Sequence, residues 1–157
     1  MSVDDPWFID SACSAHMNGK SEDFVSLQQH KGGSITFGNN SKGVVSGIGK
    51  VKISSKVSVS DVSLVDNLGF NLLSVAQLCA NGKNQVVFDH KQCQVIEIST
   101  GRTLLKGLCR NNVYKVDPCF QPEESLCLKS GAEVADLWHS RFCHASQRRA
   151  SSWIAQV

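Results

Sequence analysis

The 157-residue chain lacks several features that would place it in a specialised class of protein. Charged residues make up only 19% and the formal net charge is +2, which is too small to indicate nucleic-acid binding by itself. No apolar run approaches the roughly 18 residues that a membrane-spanning helix requires. The polar start at residues 1–6 does not resemble a secretory signal. Hydrophobic residues nevertheless make up 41%, enough for a buried core, which argues against disorder along the whole length.

The cysteines also exclude more than they indicate. There are seven, an odd number, and no Cys-x-x-Cys pair occurs. This pattern argues against a disulfide framework and favours reduced thiols in a cytosolic setting, most of them acting as small buried hydrophobes. Cys13 and His16 have metal-like spacing, but nothing nearby in the sequence completes a site.

Short strands separated by turn residues dominate the first two thirds of the chain. The strand-like stretches are 7–9, 34–37, 44–45, 50–53, 56–66, 85–88, 94–98, 103–105 and 113–116. Several of them alternate polar and apolar residues, which indicates one buried face and one wet face. The Gly- and Asn-rich stretch 38–43 predicts the tip of a hairpin, and Gly47 and Gly49 permit a bulge. We therefore predict a small antiparallel barrel or sandwich at 7–116.

One short helix interrupts this β pattern. Ser74 is a suitable N-cap, Val75 and Leu78 lie on one face, and Asn81-Gly82 supplies a stop. Proline, glutamate, serine and glycine then mark 117–131 as a linker, and 132–149 is helical in composition.

The strongest catalytic signal is the apolar strand that runs into Asp10 and Ser11. An Asp-Ser/Thr-Gly sequence after such a strand is the signature of an aspartic protease, although Ala12 stands in the glycine place. The strand carries a carboxylate to a region of low dielectric, where its protonation can be tuned. The alternative is that Asp10 is an ordinary turn or helix cap.

A single motif predicts a dimer if it is catalytic. Aspartic peptidases use two carboxyl groups that share one proton, so one Asp10 must come from each of two identical subunits. The hairpin tip would then be a flap that closes over bound peptide; its residues are Gly38, Asn39, Asn40, Ser41, Lys42 and Gly43.

A second signal lies near the C-terminus. His139 and His144, five residues apart after Trp138, can supply half of a tetrahedral zinc site. The Cys-x-x-Cys that would complete the site does not occur, so zinc would bind only if further ligands were present. Two surface or packing histidines are the alternative.

Taken together, the order and spacing of these motifs resemble the Gag-Pol polyprotein of copia-type LTR retrotransposons, abundant in plants. The stretches that carry the resemblance are 7–17, 35–43, 47–51, 71–78, 112–114 and 137–146. The resemblance implies a retropepsin-like closed β-barrel at 7–116, after an N-terminal linker at 1–6. It further implies a linker at 117–131, a truncated GAG-pre-integrase segment with a short helix at 132–150, and an unrelated tail at 151–157.

The same resemblance implies function. Asp10 corresponds to the catalytic aspartate, Ser11 to its motif partner, and His139 and His144 to the first two zinc ligands of the integrase region. Residues 72–74 correspond to the two aliphatics and glycine that precede the C-terminal helix of retropepsins. The expected activity is cleavage of Gag-Pol by a homodimer, without a cofactor or membrane, in the cytoplasm or a virus-like particle. Nucleic acid would bind only through the integrase region, which is expected to be missing.

Two other functions stay open. The chain could be a catalytically silent β-barrel remnant or binding module, because Ala12 costs about 1 kcal/mol if its position requires a positive φ. It could also be a partial zinc- and nucleic-acid-binding module at His139 and His144.

Overall fold

The computed structural model describes residues 5–30, 33–37 and 41–129, and within these ranges the chain forms twelve strands and one α-helix. The strands are β1 Trp7–Asp10, β2 Met17–Asn18, β3 Phe24–Gln29, β4 Ser34–Thr36, β5 Lys42–Lys52, β6 Val57–Val65, β7 Asn71–Ser74, β8 Asn84–Phe88, β9 Gln92–Glu97, β10 Thr103–Arg110, β11 Val113–Val116 and β12 Leu126–Leu128. The helix α1 spans Val75–Cys79, and a single 3₁₀ turn at Ser21–Asp23 precedes β3.

The strands form one mixed sheet that stays open. Its hydrogen-bonded order in the described chain is β3-β5-β6-β2-β7-β1-β11-β10-β9-β8, with β4 beside β5 and β12 beside β6. The path ends at β3 on one side and β8 on the other. The predicted all-β chain with one short helix is therefore confirmed. The predicted closed barrel is wrong, and so is the purely antiparallel pairing, because β1–β7, β2–β6 and β6–β12 pair in parallel. Alternation along a strand reports which face is buried, but closure depends on pairing between distant strands, which alternation does not encode.

Strands β5 and β6 form the longest hairpin, and burial follows the polar–apolar alternation around Val51 and along the first half of β6, whereas all four residues from Val62 to Val65 are buried. Val51, Val57 and Val59 are fully buried, while the intervening residues face outward or are half-buried. Register shifts occur next to Gly47 and Gly49, as the sequence predicts. At Gly49 a side chain would overlap the carbonyl oxygen of Ser26 on β3, so glycine is required for the close approach of these strands.

The short helix α1 begins and ends where the sequence predicts. The Ser74 side chain accepts a hydrogen bond from the Gln77 backbone N–H at 3.1 Å, which satisfies one of the free donors of the first turn. The helix ends at Cys79, and Gly82 follows with a φ of +67°. Its one fully buried residue, Leu78, faces the main core.

The buried side chains form two clusters. The larger one joins β1, β5–β7, α1 and the β8–β11 meander; it contains Trp7, Ile9, Val51, Ile53, Val57, Val59, Val62, Leu73, Leu78, Cys93, Val95, Leu104, Leu105 and Leu128. The smaller one consists of Met17, Val45 and Val65, with Phe37 and Cys13 packed against it. It thereby connects the β4–β5 hairpin with the loop after β1.

Four strands were not predicted, among them β7 at Asn71–Ser74, which the sequence presents only as the segment before the helix, and part of the predicted organisation lies outside the described residues. Strand β2 has two residues, β3 is exposed along most of its length, and β12 falls within the stretch 117–131 interpreted as a linker. Such short or exposed strands carry little periodic signal. The predicted segments 132–150 and 151–157, and most of the linker at 1–6, lie outside the described residues.

Candidate functional site

Asp10 lies at the C-terminal end of β1, in the middle of the sheet. The side chains of Trp7 and Ile9 are buried and anchor β1 in the core, so the position of Asp10 at the end of this strand is fixed. On one side β1 pairs in parallel with β7, and Asp10 lies opposite Ser74. On the other side β1 pairs antiparallel with β11, so both hydrogen-bonding edges of the strand are occupied by the chain itself.

The loop after Asp10 is closed by the residue's own carboxylate. The backbone N–H of Ala12 donates to Asp10 Oδ1 at 2.8 Å, and the Cys13 thiol donates to the Asp10 carbonyl oxygen at 3.5 Å. This geometry is that of an Asx turn, as expected for an aspartate at a strand end. Asp10 is half-buried and Ser11 is exposed, so a second molecule can reach both side chains.

Ala12 adopts no glycine-like backbone in this loop. The non-glycine residues with positive φ in the described chain are Asp61, Asn67, Asn111 and Asn112. The methyl group of Ala12 is exposed and carries no penalty from a left-handed conformation. The replacement of glycine at this place in the motif is therefore compatible with the loop.

Ser74 connects the loop with the core beneath it. Its hydroxyl donates to the Cys13 carbonyl oxygen at 2.7 Å while accepting from Gln77, and its backbone N–H donates to His16 Nδ1 at 3.0 Å. The Gln77 side chain in turn accepts from the His16 backbone N–H at 2.6 Å and donates to the Asp61 carbonyl oxygen. These bonds hold the residues after Asp10 against β7 and α1.

The two titratable groups beneath the loop are held in their neutral forms. Burial lowers the pKa of His16, which is 2% exposed, to about 3, so the imidazole is uncharged and Nδ1 can accept. Burial, followed by the negative charge of Asp10, raises the pKa of the Cys13 thiol to about 12. A protonated thiol is a poor nucleophile and metal ligand, so the Cys13–His16 pair supports the fold of the loop.

Asp10 and Ser11 line an open groove of about 600 Å³. The other lining residues come from β1, β7, β8, β11 and their flanking loops: Phe8, Ile9, Phe70, Leu72, Phe88, Asn112, Val113 and Tyr114. Phe8 and Phe70 meet edge to face at 6.0 Å between ring centroids, and Phe88 and Tyr114 do so at 4.9 Å. Asp10 is the only carboxylate among these lining residues, so one chain supplies one acid to a mostly apolar surface.

The structure brings together some of the predicted site residues. Asp10 and Ser11 share the groove, whereas Ser41, Lys42 and Gly43 belong to the β4–β5 hairpin and do not line it. Gly38, Asn39 and Asn40 lie outside the described residues, so the flap stays a prediction.

His139 and His144 also lie outside the described residues, and zinc binding there stays a prediction. In the part of the chain that is described, no group of three or more histidine, cysteine, aspartate or glutamate residues could hold a metal ion. None of the helices described there is long and apolar enough to cross a membrane.

Sequence reasoning missed the aromatic wall of the groove. Phe70 is 62% exposed, Phe88 40% and Val113 43%, all unusual for large apolar side chains. Phe70 stands after a turn and has no periodic neighbours to indicate a strand face. The exposure of Phe70 depends on the pairing of β7 with β1, which the sequence around Phe70 does not indicate.

Comparisons with known proteins agree with the sequence-based resemblance at a coarse level. Residues 7–83 match the family described as Pol polyprotein, beta-barrel domain. The chain is 28% identical to the retrovirus-related Pol polyprotein from transposon RE1 of Arabidopsis thaliana, in an alignment covering 95% of this chain and 10% of that protein. It is 26% identical to the corresponding polyprotein from transposon TNT 1-94 of Nicotiana tabacum, over 90% of this chain and 11% of that one. The chain is also 26% identical to the retrovirus-related Pol polyprotein from transposon RE2 of Arabidopsis thaliana, in an alignment covering 95% of this chain and 11% of that protein.

The chain thus spans about a tenth of the length of the curated relatives it matches. No solved structure matches it. The sheet is open although the matched family is described as a β-barrel, so the family description and the strand pairing differ on closure.

Proposed function

We propose that this chain, a distant relative of copia-type retrotransposon Pol polyproteins over most of its length, supplies one half of an aspartic endopeptidase site. The observation that carries the proposal is the position of Asp10. Its carboxylate ends a buried strand, is half-buried, and lines an apolar groove of about 600 Å³. A carboxyl group in such surroundings is suited to acid–base chemistry on a bound peptide.

The strands around Asp10 support this proposal. Residues 72–74 precede a short helix and lie beside β1 in parallel, with Ser74 opposite Asp10. The resemblance to retropepsins implies two aliphatics and a glycine before the C-terminal helix at this place, and here Leu72, Leu73 and Ser74 precede α1. The hydrogen bonds from Ala12 and Ser74 hold that loop in one conformation, which keeps the carboxylate in place.

The chemistry requires a second carboxylate. Two carboxyl groups about 3 Å apart share one proton: the ionised one takes a proton from the attacking water, and the protonated one donates to the scissile carbonyl oxygen. Since each groove contains one carboxylate, the partner must be Asp10 of a second copy across a two-fold axis. The exposed side chains of Phe70, Phe88 and Val113 offer apolar surface that the second copy and the peptide substrate would cover.

Peptide cleavage by the purified 157-residue chain tests the proposal. The substrate is a peptide spanning a Gag-Pol junction, and Asp10→Asn is compared with Asp117→Asn. Asp117 accepts a hydrogen bond from the Cys119 backbone N–H, and an asparagine oxygen can accept it equally. We expect Asp10→Asn to lower the cleavage rate by at least about 10²-fold, the lower end of acid–base contributions, and Asp117→Asn to retain it. Equal cleavage by wild type and Asp10→Asn would refute the proposal.

A mixing experiment tests the two-fold site. An excess of Asp10→Asn chain should inhibit wild-type cleavage, because each mixed dimer has only one aspartate, and not two, at the two-fold site. Sedimentation at micromolar concentration should show dimers under the conditions of cleavage. A strict monomer at every concentration and pH would leave Asp10 without its partner and end the peptidase proposal.

A binding module without catalysis is the second candidate. It is favoured by the groove itself, where exposed phenyl rings surround a single carboxylate already engaged with Ala12. In this case the junction peptide would perturb the NMR signals of Phe70 and Tyr114 and remain uncut at any protein concentration. Loss of the Tyr114 perturbation in Phe70→Ala, with no cleavage by wild type, would favour this candidate over the peptidase.

We further propose a zinc module near the C-terminus and a cytoplasmic location. A zinc module at His139 and His144 predicts stoichiometric zinc in the purified chain, lost in His144→Ala. We place the peptidase in the cytoplasm, where the six cysteines of the described chain, all free thiols, would stay reduced.

A further inference from the structure

A second concavity, which we call the lysine pocket, lies between the β5–β6 hairpin and β12. Its volume is about 220 Å³. It is lined by three lysines, three serines and three apolar residues: Lys50, Lys52, Lys56, Ser55, Ser58, Ser125, Val25, Val57 and Leu126. These lining residues include no carboxylate, so the fixed charge in the pocket wall is positive.

Strand geometry places the polar groups of the pocket on one face. Val51 is fully buried on β5, so Lys50 and Lys52 on either side of it project to the opposite face. On β6, Ser58 lies between two buried valines and projects the same way. Ser58 pairs with Lys52 on β5 and with Cys127 on β12, which forms a polar row across three strands.

None of the three ammonium groups of the pocket forms an ion pair with an acid among the described residues. Lys56 Nζ donates to the carbonyl oxygens of Pro122 and Glu123, at 3.1 and 3.4 Å, and so holds the segment before β12 against the hairpin. The ion pairs of the described residues involve Lys20 and Arg102. Lys50 and Lys52 take part in none of these ion pairs; Lys50 hydrogen-bonds the Cys127 thiol, which is neutral when protonated, so neither positive charge is compensated by an acid.

The pKa of the Cys127 thiol indicates the electrostatic potential beside the pocket. Its Sγ lies 3.2 Å from Ser60 Oγ, next to the pocket. Burial raises the pKa of this thiol, but hydrogen bonds with Ser60, Ser58 and Lys50, together with the positive charge of Lys50, outweigh burial and lower the pKa overall. A negative charge is therefore stabilised at this end of the sheet.

We propose that the lysine pocket is a binding site for a phosphate group, either free or carried by a nucleotide. Lys50 and Lys52 are two residues apart on one strand, about 6.7 Å, so their flexible ammonium groups can reach one tetrahedral anion. Lysine binds phosphate as a point charge, and the Ser125 hydroxyl can add a neutral donor, whereas the hydroxyls of Ser55 and Ser58 already donate to the Gln121 side chain and to the Leu126 carbonyl oxygen. Val25, 65% exposed at the rim, offers an apolar neighbour for the organic part of a nucleotide. The proposal does not depend on the peptidase function.

NMR titration of the full chain with inorganic phosphate and with adenosine monophosphate tests the site at low salt. We expect shifts confined to β5, β6 and β12, and an affinity at least about tenfold weaker in Lys52→Gln, the lower end of the gain from a cleft of one charge sign. Lys91→Gln, an exposed lysine near β9, is the matched control and should bind as wild type. Tighter binding of the nucleotide would identify it as the source of the phosphate. Equal binding by Lys52→Gln, or no shifts with either probe, would overturn the proposal.

Alkylation of Cys127 provides a second readout that does not depend on an unknown ligand. In this reaction the thiolate sulfur displaces iodide, either from anionic iodoacetate or from neutral iodoacetamide of similar size. Both reactions depend equally on the thiol pKa, so this dependence cancels in the ratio of the iodoacetate rate to the iodoacetamide rate. A high ratio then means that the surroundings of the thiol attract anions. The ratio at Cys127, measured by peptide mass spectrometry, should exceed that at exposed Cys119 and fall in Lys50→Gln. Equal ratios at both cysteines would contradict a positive pocket.

Discussion

Acid should destabilise this protein through a single buried imidazole. His16 is neutral in the folded chain because its pKa is about 3, against 6.5 for an accessible histidine. Between these values the unfolded chain binds a proton that the folded chain excludes, so the free energy of unfolding falls as the pH is lowered. A charged His16 could no longer accept the hydrogen bond from the Ser74 backbone N–H.

The size of the effect follows from the two pKa values. Because the pKa of His16 is 6.5 when accessible and about 3 in the folded chain, the free energy of unfolding should fall by about 2–3 kcal/mol between pH 7 and pH 4.5. That is a substantial fraction of the total stability of an ordinary domain, which is about 5–15 kcal/mol. The peptidase proposed above would need one of its two carboxyls protonated, so unfolding through His16 would limit how far that proposed activity extends into acid.

Urea unfolding at several pH values, followed by tryptophan fluorescence, measures this loss. In His16→Asn the amide oxygen can replace Nδ1 as the acceptor for Ser74, but the side chain does not titrate in this range. The variant should be less stable at pH 7, because the smaller side chain leaves a cavity, yet lose less stability on acidification. His90→Gln, at an exposed histidine, is the control that should keep the wild-type dependence.

Two results would show that His16 does not govern the loss of stability in acid. A wild-type free energy of unfolding that changes by less than about 0.5 kcal/mol between pH 7 and 4.5 would mean that burial does not suppress its protonation. The same acid-induced loss in wild type and His16→Asn would assign the effect to other groups.

Three further predictions concern the fold around the site, each measured as the free energy of unfolding in urea. Gly49→Ala should cost about 1–3 kcal/mol, because its methyl would meet the Ser26 carbonyl oxygen. The control Gly69→Ala, with open space around it, should cost less than 1 kcal/mol. Equal costs of the two substitutions would contradict the close approach of β3 and β5. Leu73→Ala should cost about 2–5 kcal/mol, since this side chain is fully buried in the larger core, and a cost below 1 kcal/mol would place it elsewhere. Ser74→Ala should cost about 1–3 kcal/mol through loss of the helix cap and of the bond to the loop carbonyl; an unchanged stability would show that neither bond matters.

The sequence predicts the candidate carboxylate but not the site around it. An apolar run ending at Asp10 identifies a residue at the end of a buried strand, since strand and turn signals act over a few neighbouring residues. The groove needs residues from distant parts of the chain, including Phe70, Phe88 and Tyr114. Nothing in the local pattern of those residues indicates that they share a surface.

By itself, the sequence determines the all-β character of the chain, the bulges at Gly47 and Gly49 and the helix capped by Ser74, because alternation, glycine and capping are local effects. Tertiary structure alone decides that the sheet is open and that β1 lies between β7 and β11. It also decides that His16 is buried against Ser74, 58 residues away. These outcomes depend on which distant strands exclude water from each other, and that competition is settled only when the whole sheet assembles.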